Sequence, residues 1–144
     1  PTKGAYWAKL QHKPSNRAWS GFTFETICLK HVDQIKQELG ITGIHSAEGS
    51  WFSKGSPGAQ VDLLIDRDDN VVNLCEMKFS QGTFTIDAQY ARELTNKMRL
   101  FRRETRSRKS ILLTFITTYG IAGNALATQL VQNDLTMDCL FHEL

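Results

Sequence analysis

Three residues in two short stretches carry side chains able to do chemistry together. Asp62 lies inside the apolar run Val61-Asp62-Leu63-Leu64-Ile65-Asp66. Glu76 and Lys78 close the next run, Val71-Val72-Asn73-Leu74-Cys75-Glu76-Met77-Lys78-Phe79, and Arg67-Asp68-Asp69-Asn70 joins the two. Residues two apart in a strand share a face, so Glu76 and Lys78 are predicted to project together. An acid in one strand, then acid-any-lysine in its hairpin partner, can hold a divalent metal ion beside a phosphate. Hydrolysis of a phosphodiester needs an activated water and relief of charge at the phosphoryl and leaving oxygens, and a hard cation held by carboxylates serves both needs. Asp62 and Glu76 are the candidate carboxylate ligands and the Met77 carbonyl a neutral one. The Lys78 ammonium can orient the water or stabilise developing negative charge. Taken singly, each residue has a plainer use, since Glu-x-Lys is an ordinary exposed pair worth little. The combination in a strand–turn–strand context points to a metal site.

The elements that must position these groups follow from periodicity. Residues 1–18 read as irregular, with aromatic anchors at Tyr6 and Trp7 and a break at Pro14. A helix is expected from about Ser20 to Leu39, ended by Gly40, with Phe24, Ile27, Cys28, Val32, Ile35 and Leu39 as its core stripe. Glu25 falls at the margin of that stripe, a third acid for a second metal or a metal-bound water. A strand is predicted over 43–52, then turn chemistry at Ser53-Lys54-Gly55-Ser56-Pro57-Gly58. Strands near 60–66 and 71–79 follow, the first expected to put Val61, Leu63 and Ile65 on one face. Asp87 is a suitable N-cap for a helix running to Thr105, with Ala91, Leu94, Met98 and Phe101 turned to the core. Ser110 to Thr118 reads as a buried strand, 127–132 as an edge strand, and Thr136 to Phe141 as a short helix.

The second long helix is also the most basic part of the chain. Overall charge is only +2, yet eight basic residues fall between Arg92 and Lys109, against Glu93 and Glu104. Lys3, Lys9, Lys13 and Arg17 make the N-terminus basic as well. Arg92, Arg99, Arg103 and Arg106 form one line that can meet successive backbone phosphates or simply be solvated. Lys97 and Tyr90 sit at the edge of the apolar stripe, where an accessory phosphate contact competes with core packing for Tyr90.

Length and composition fit a single globular domain. No long uncharged apolar run or signal-type N-terminus is present, which disfavours a membrane span or an intact secretory leader. Cys28, Cys75 and Cys139 are widely spaced and read as reduced thiols of a cytoplasmic protein, and no zinc-ligand spacing joins His12, His31, His45 and His142. The chain opens at Pro1, which suggests processing or excision from a longer protein.

Glu25 on the first helix, Gln60-Val61-Asp62 and Glu76-Met77-Lys78 resemble the motifs of the PD-(D/E)XK nuclease superfamily, over roughly residues 20–120. The resemblance implies a restriction-endonuclease-like α/β core bordering on α+β, with a mixed four- to five-stranded sheet flanked by helices in the order αβββαβ. It implies Mg²⁺ or Mn²⁺ on Asp62 and Glu76, Lys78 as a catalytic residue and Glu25 as the supporting acid. Gln60-Val61 stands where the motif has a proline before its aspartate, a departure many relatives share. More narrowly, Gly21-Phe22-Thr23-Phe24-Glu25-Thr26-Ile27-Cys28, Ala59-Gln60-Val61-Asp62 and Asn73-Leu74-Cys75-Glu76-Met77-Lys78 resemble nuclease-like domains at the C-terminus of prokaryotic AAA-type ATPases. No phosphate-binding GxxxxGK[ST] loop is present, so an ATPase would lie elsewhere in such a parent. The expected partners are then nucleic acid, with DNA the first candidate and RNA left open, and that ATPase domain, with monomer and homodimer both open. The expected activity is Mg²⁺-dependent DNA hydrolysis. The alternative is a non-catalytic nucleic-acid-binding or regulatory module.

Overall fold

The computed structural model describes residues 14–55 and 58–144, with side chains from Ser20 onward. In chain order the elements are α1 (Pro14–Lys30), α2 (Val32–Glu38), β1 (Ser46–Phe52), β2 (Gln60–Arg67), β3 (Val71–Lys78), α3 (Ala88–Thr105), β4 (Ser110–Thr117), α4 (Ala125–Leu130) and β5 (Asn133–Thr136). A 3-10 turn at Met137–Phe141 closes the chain. Tyr6 and Trp7 lie outside the described residues.

Local chemistry accounts for most boundaries. Asn70 takes φ +69° in the β2–β3 turn, a left-handed conformation that asparagine tolerates. The Asp87 carboxylate accepts from the Tyr90 backbone N–H at 2.8 Å and starts α3. Gly40, at φ +74°, follows α2 in the left-handed cap position.

Four expectations need correction. The helix over 20–39 is two helices, and the first begins at Pro14, where proline suits a first turn. His31 interrupts them at φ −125°, and its Nδ1 lies 2.7 Å from the Ile27 carbonyl, so the side chain competes for a helical acceptor. The apolar stripe still continues across the break through Phe24, Cys28 and Ile35. Second, β1 starts at Ser46, because Ile41 to Ile44 form a turn closed by the Ile44 N–H on the Ile41 carbonyl. Third, the stretch expected as an edge strand at 127–132 is largely α4, started by the Asn124 side chain accepting from the Ala127 N–H at 2.8 Å. The edge strand follows at β5.

The fourth correction concerns β2. The sheet runs β1-β2-β3-β4-β5, antiparallel through β3 and parallel from β3 to β5. This is an α/β fold with a five-stranded mixed sheet flanked by helices. One face packs α1, α2 and the closing 3-10 turn over Leu63, Ile65, Cys75 and Met77. The other packs α3 and α4 over Val61, Leu74, Leu113 and Phe115. Val61 and Leu63 therefore lie in different cores, although simple alternation puts them together. A β-bulge is responsible: Gly49 pairs with Leu64 but Trp51 with Val61, so Asp62 and Leu63 together oppose Ser50. Among the described residues, no helix is long and apolar enough to cross a membrane.

Candidate functional site

Asp62 occupies that bulge. Its carboxylate accepts from the Gln60 side-chain amide, and the side chain is half-buried. The β2–β3 ladder also changes here. Its last pair is Leu63 with Cys75, and continuing the register would bring Asp62 opposite Glu76. The strands therefore part at the two acids, leaving their carboxylates beyond the hydrogen-bonded ladder.

β3 carries Glu76 to the α3 face of the sheet, where its side chain is only 6% exposed. An ionised carboxylate this deep requires compensation. Lys97, midway along α3, provides it: Nζ donates to Oε2 at 3.0 Å and to Oε1 at 3.2 Å. The Tyr90 hydroxyl also donates to Oε1, at 3.0 Å. Two turns of one helix thus hold both oxygens of Glu76. Tyr90 is itself wedged against Phe84 and Phe115, with ring centroids 5.6 and 6.3 Å away. Burial, then the neighbouring Glu76 charge, pushes the Tyr90 phenol far above its ordinary pKa, so it remains a hydrogen-bond donor.

Lys78 projects to this same face, as its spacing from Glu76 predicts. Its ammonium stands 5.4 Å from the centre of the Tyr90 ring, within cation–π range. Glu25 approaches from α1 as a half-buried side chain. Burial raises its carboxyl above the usual range; the nearby Asp62 charge adds to the effect, Lys78 opposes it and Glu76 adds again. Three acids and a lysine predicted from spacing thus share one electrostatic neighbourhood.

They do not form a closed cage. Among the described residues, no three His, Cys, Asp or Glu side chains gather closely enough to hold a metal ion together. The donor types nevertheless suit Mg²⁺, which usually takes one or two carboxylates and completes its shell with waters and substrate phosphates. Asp62 and Glu76 are two such carboxylates, one on each strand beyond the end of the ladder. Glu25 stands beside them electrostatically without completing a three-acid group.

The structure divides the basic residues predicted to meet nucleic acid. Lys97 is turned inward onto Glu76, while Arg92, Arg99, Arg103 and Arg106 are exposed. Lys97 and Arg99 are two residues apart, about 200° round the helix, so they serve different surfaces. Arg92 and Arg99 border a groove of about 430 Å³ between α3 and α4, with Thr95, Asn96, Leu126 and Gln129. No ion pair engages the four arginines among the described residues. The Lys97–Glu76–Tyr90 contact itself was not read from the sequence. Its only signal was a lysine and a tyrosine at the edge of an apolar stripe.

The cysteines supply no alternative nucleophile. All three are free and buried. Burial raises the Cys28 thiol to about 12 and the Cys139 thiol to about 11, well above neutrality. No protein-family model, curated protein or solved structure matches the chain.

Proposed function

We propose that this chain is a Mg²⁺-dependent nuclease domain that hydrolyses DNA phosphodiesters at the Asp62–Glu76–Lys78 site, with Mn²⁺ as an alternative ion. The observation that carries this reading is the buried Glu76 carboxylate, one residue beyond the last β2–β3 pair, on the side where Asp62 follows Leu63. Asp62, Glu76 and the Met77 carbonyl would hold the ion. Once bound, it supplies Lewis-acid polarisation of the phosphoryl group and a more acidic water.

The remaining work falls to the chain's own groups. Tyr90 and Lys97 hold Glu76 in one orientation. Lys78, on the same strand face, offers an ammonium to negative charge developing on the phosphoryl oxygens. Glu25, in the same electrostatic neighbourhood as Asp62, Lys78 and Glu76, is the supporting acid for a second ion or a metal-bound water. The exposed arginines of α3 offer sequence-independent contacts to backbone phosphates on a second surface. The free, buried cysteines fit a cytoplasmic protein, and the motif resemblance makes the domain the C-terminal module of a prokaryotic AAA-type ATPase.

A second reading has its own support. Lys97 already neutralises Glu76, an arrangement that suits a non-catalytic nucleic-acid-binding or regulatory module. Incubation with linear, single-stranded and branched DNA and with RNA, in Mg²⁺, Mn²⁺ or EDTA, separates the two. Metal-dependent DNA cleavage lost in Glu76→Ala and Lys78→Ala is the expected result. Cleavage that survives both substitutions removes the site assignment. Salt-sensitive binding without cleavage, weakened by Arg92→Ala and Arg99→Ala, selects the binding module.

A further inference from the structure

Among the described residues, Glu76 is the only acid of the site with a direct ionic contact. We propose that Lys97 is an exchangeable internal cation: its ammonium holds the Glu76 carboxylate until a divalent metal ion takes that carboxylate over. Metal entry and Lys97 release are then one linked step. The inference rests on reading Asp62 and Glu76 as the metal-binding pair.

Geometry makes simultaneous occupation unfavourable. Lys97 Nζ reaches both Glu76 oxygens, and Tyr90 takes a further position on Oε1. A magnesium-sized ion sits roughly 2.1 Å from a ligating oxygen. With Lys97 Nζ 3.0 Å from Oε2, the two cations would stand close together in a poorly solvated place. The two cations repel each other there, and a lysine on a flexible four-carbon stem leaves more readily than a rigid guanidinium.

Lys97 also has somewhere to go. Its side chain keeps 19% exposure, so the lysine is not sealed inside the protein. Glu93 lies one turn earlier on α3, is exposed and makes no ion pair among the described residues. A glutamate four residues before a lysine is the favourable order for a helical pair. Release from Glu76 therefore exchanges a buried partner for a local one. Tyr90, uncharged and fixed between aromatic rings, keeps Glu76 oriented during the exchange.

The test is Mn²⁺ affinity of the 144-residue chain, read by electron paramagnetic resonance of the free ion. Lys97→Gln is expected to bind Mn²⁺ roughly tenfold more tightly than the parent, about 1.4 kcal/mol. Lys78→Gln, which removes a nearby charge that does not touch Glu76, is expected to change affinity much less. Unchanged or weaker binding by Lys97→Gln overturns the exchange, as does equal tightening by Lys78→Gln. If the parent binds Mn²⁺ and Glu76→Gln does not, such a failure leaves the metal pair standing. If no variant binds, the metal reading falls and the exchange with it. Should Lys97→Gln not fold, lysine-ammonium NMR of the parent gives an independent answer. Mg²⁺ is expected to shift the resonance lost in Lys97→Arg, and a resonance that stays fixed at saturating metal overturns the proposal.

Discussion

β3 carries two buried polar side chains three residues apart, and the sheet accommodates them in opposite ways. Asn73 is fully buried on the α1 and α2 face and meets other strands: its amide donates to Thr114 Oγ1 at 2.9 Å, and its carbonyl accepts from Arg67 Nη1 at 3.0 Å. Thr114 in turn donates to Asn133, so β3, β4 and β5 are linked by neutral side chains. Glu76 faces α3 instead and depends on two residues of that helix. A neutral group satisfied within the sheet specifies register at modest electrostatic cost. A buried charge satisfied from another layer costs more to keep and responds to anything that perturbs its partner. The first arrangement is fixed within the sheet, whereas the second depends on a partner from another layer.

Removing one partner from each network tests that distinction. Lys97→Met should have the largest effect, about 3–5 kcal/mol of lost stability in chelator, because Glu76 is left buried and unpaired. Urea denaturation should show most of the loss recovered in Lys97→Met/Glu76→Gln. Equal losses in the single and double variants would mean that packing, not charge, dominates. Asn73→Ala should cost less, about 1–3 kcal/mol, by leaving Arg67, Thr114 and Asn133 short of a partner. Its Mn²⁺ affinity should match the parent's, and a large change would erase the contrast between the two networks.

Glu25→Gln should have the smallest effect, and its sign depends on pH. Burial and the nearby acids raise the Glu25 carboxyl in the folded chain. The folded state therefore binds that proton more tightly, and the stabilisation is full below the unfolded pKa and lost as pH rises through the folded one. Glu25→Gln is expected to raise the melting temperature at neutral pH and to give no gain in acid. A neutral-pH loss would show that Glu25 contributes a favourable ionic contact instead.

What the sequence revealed depended on how far apart the determining groups lie. The Asp87 cap and the Arg67–Asn70 turn are local, and both formed where their chemistry indicated. The Glu76–Lys78 pairing on one face needed only strand periodicity. The same alternation failed on β2, because the bulge arises from pairing with β1 and nothing within Val61 to Asp66 announces it. α4 was missed for a different reason: Asn124 is a good N-cap, but the apolar spacing that follows also suits a strand. Lys97 and Glu76 lie 21 residues apart on consecutive elements, so their contact emerges only when α3 crosses the sheet.

The bulge at Asp62 has a consequence for how the molecule meets copies of itself. Among the described residues β1 is an edge strand, most of its residues exposed, with backbone groups that another chain could pair with. A straight, flat edge is a template for intermolecular sheet growth, and a local twist disrupts it. β1 lies against a bulged neighbour and carries Glu48 on its exposed run, so twist and charge both work against such growth. Straightening β2 would therefore do more than re-aim one carboxylate; it would remove one of the chain's defences against aggregation.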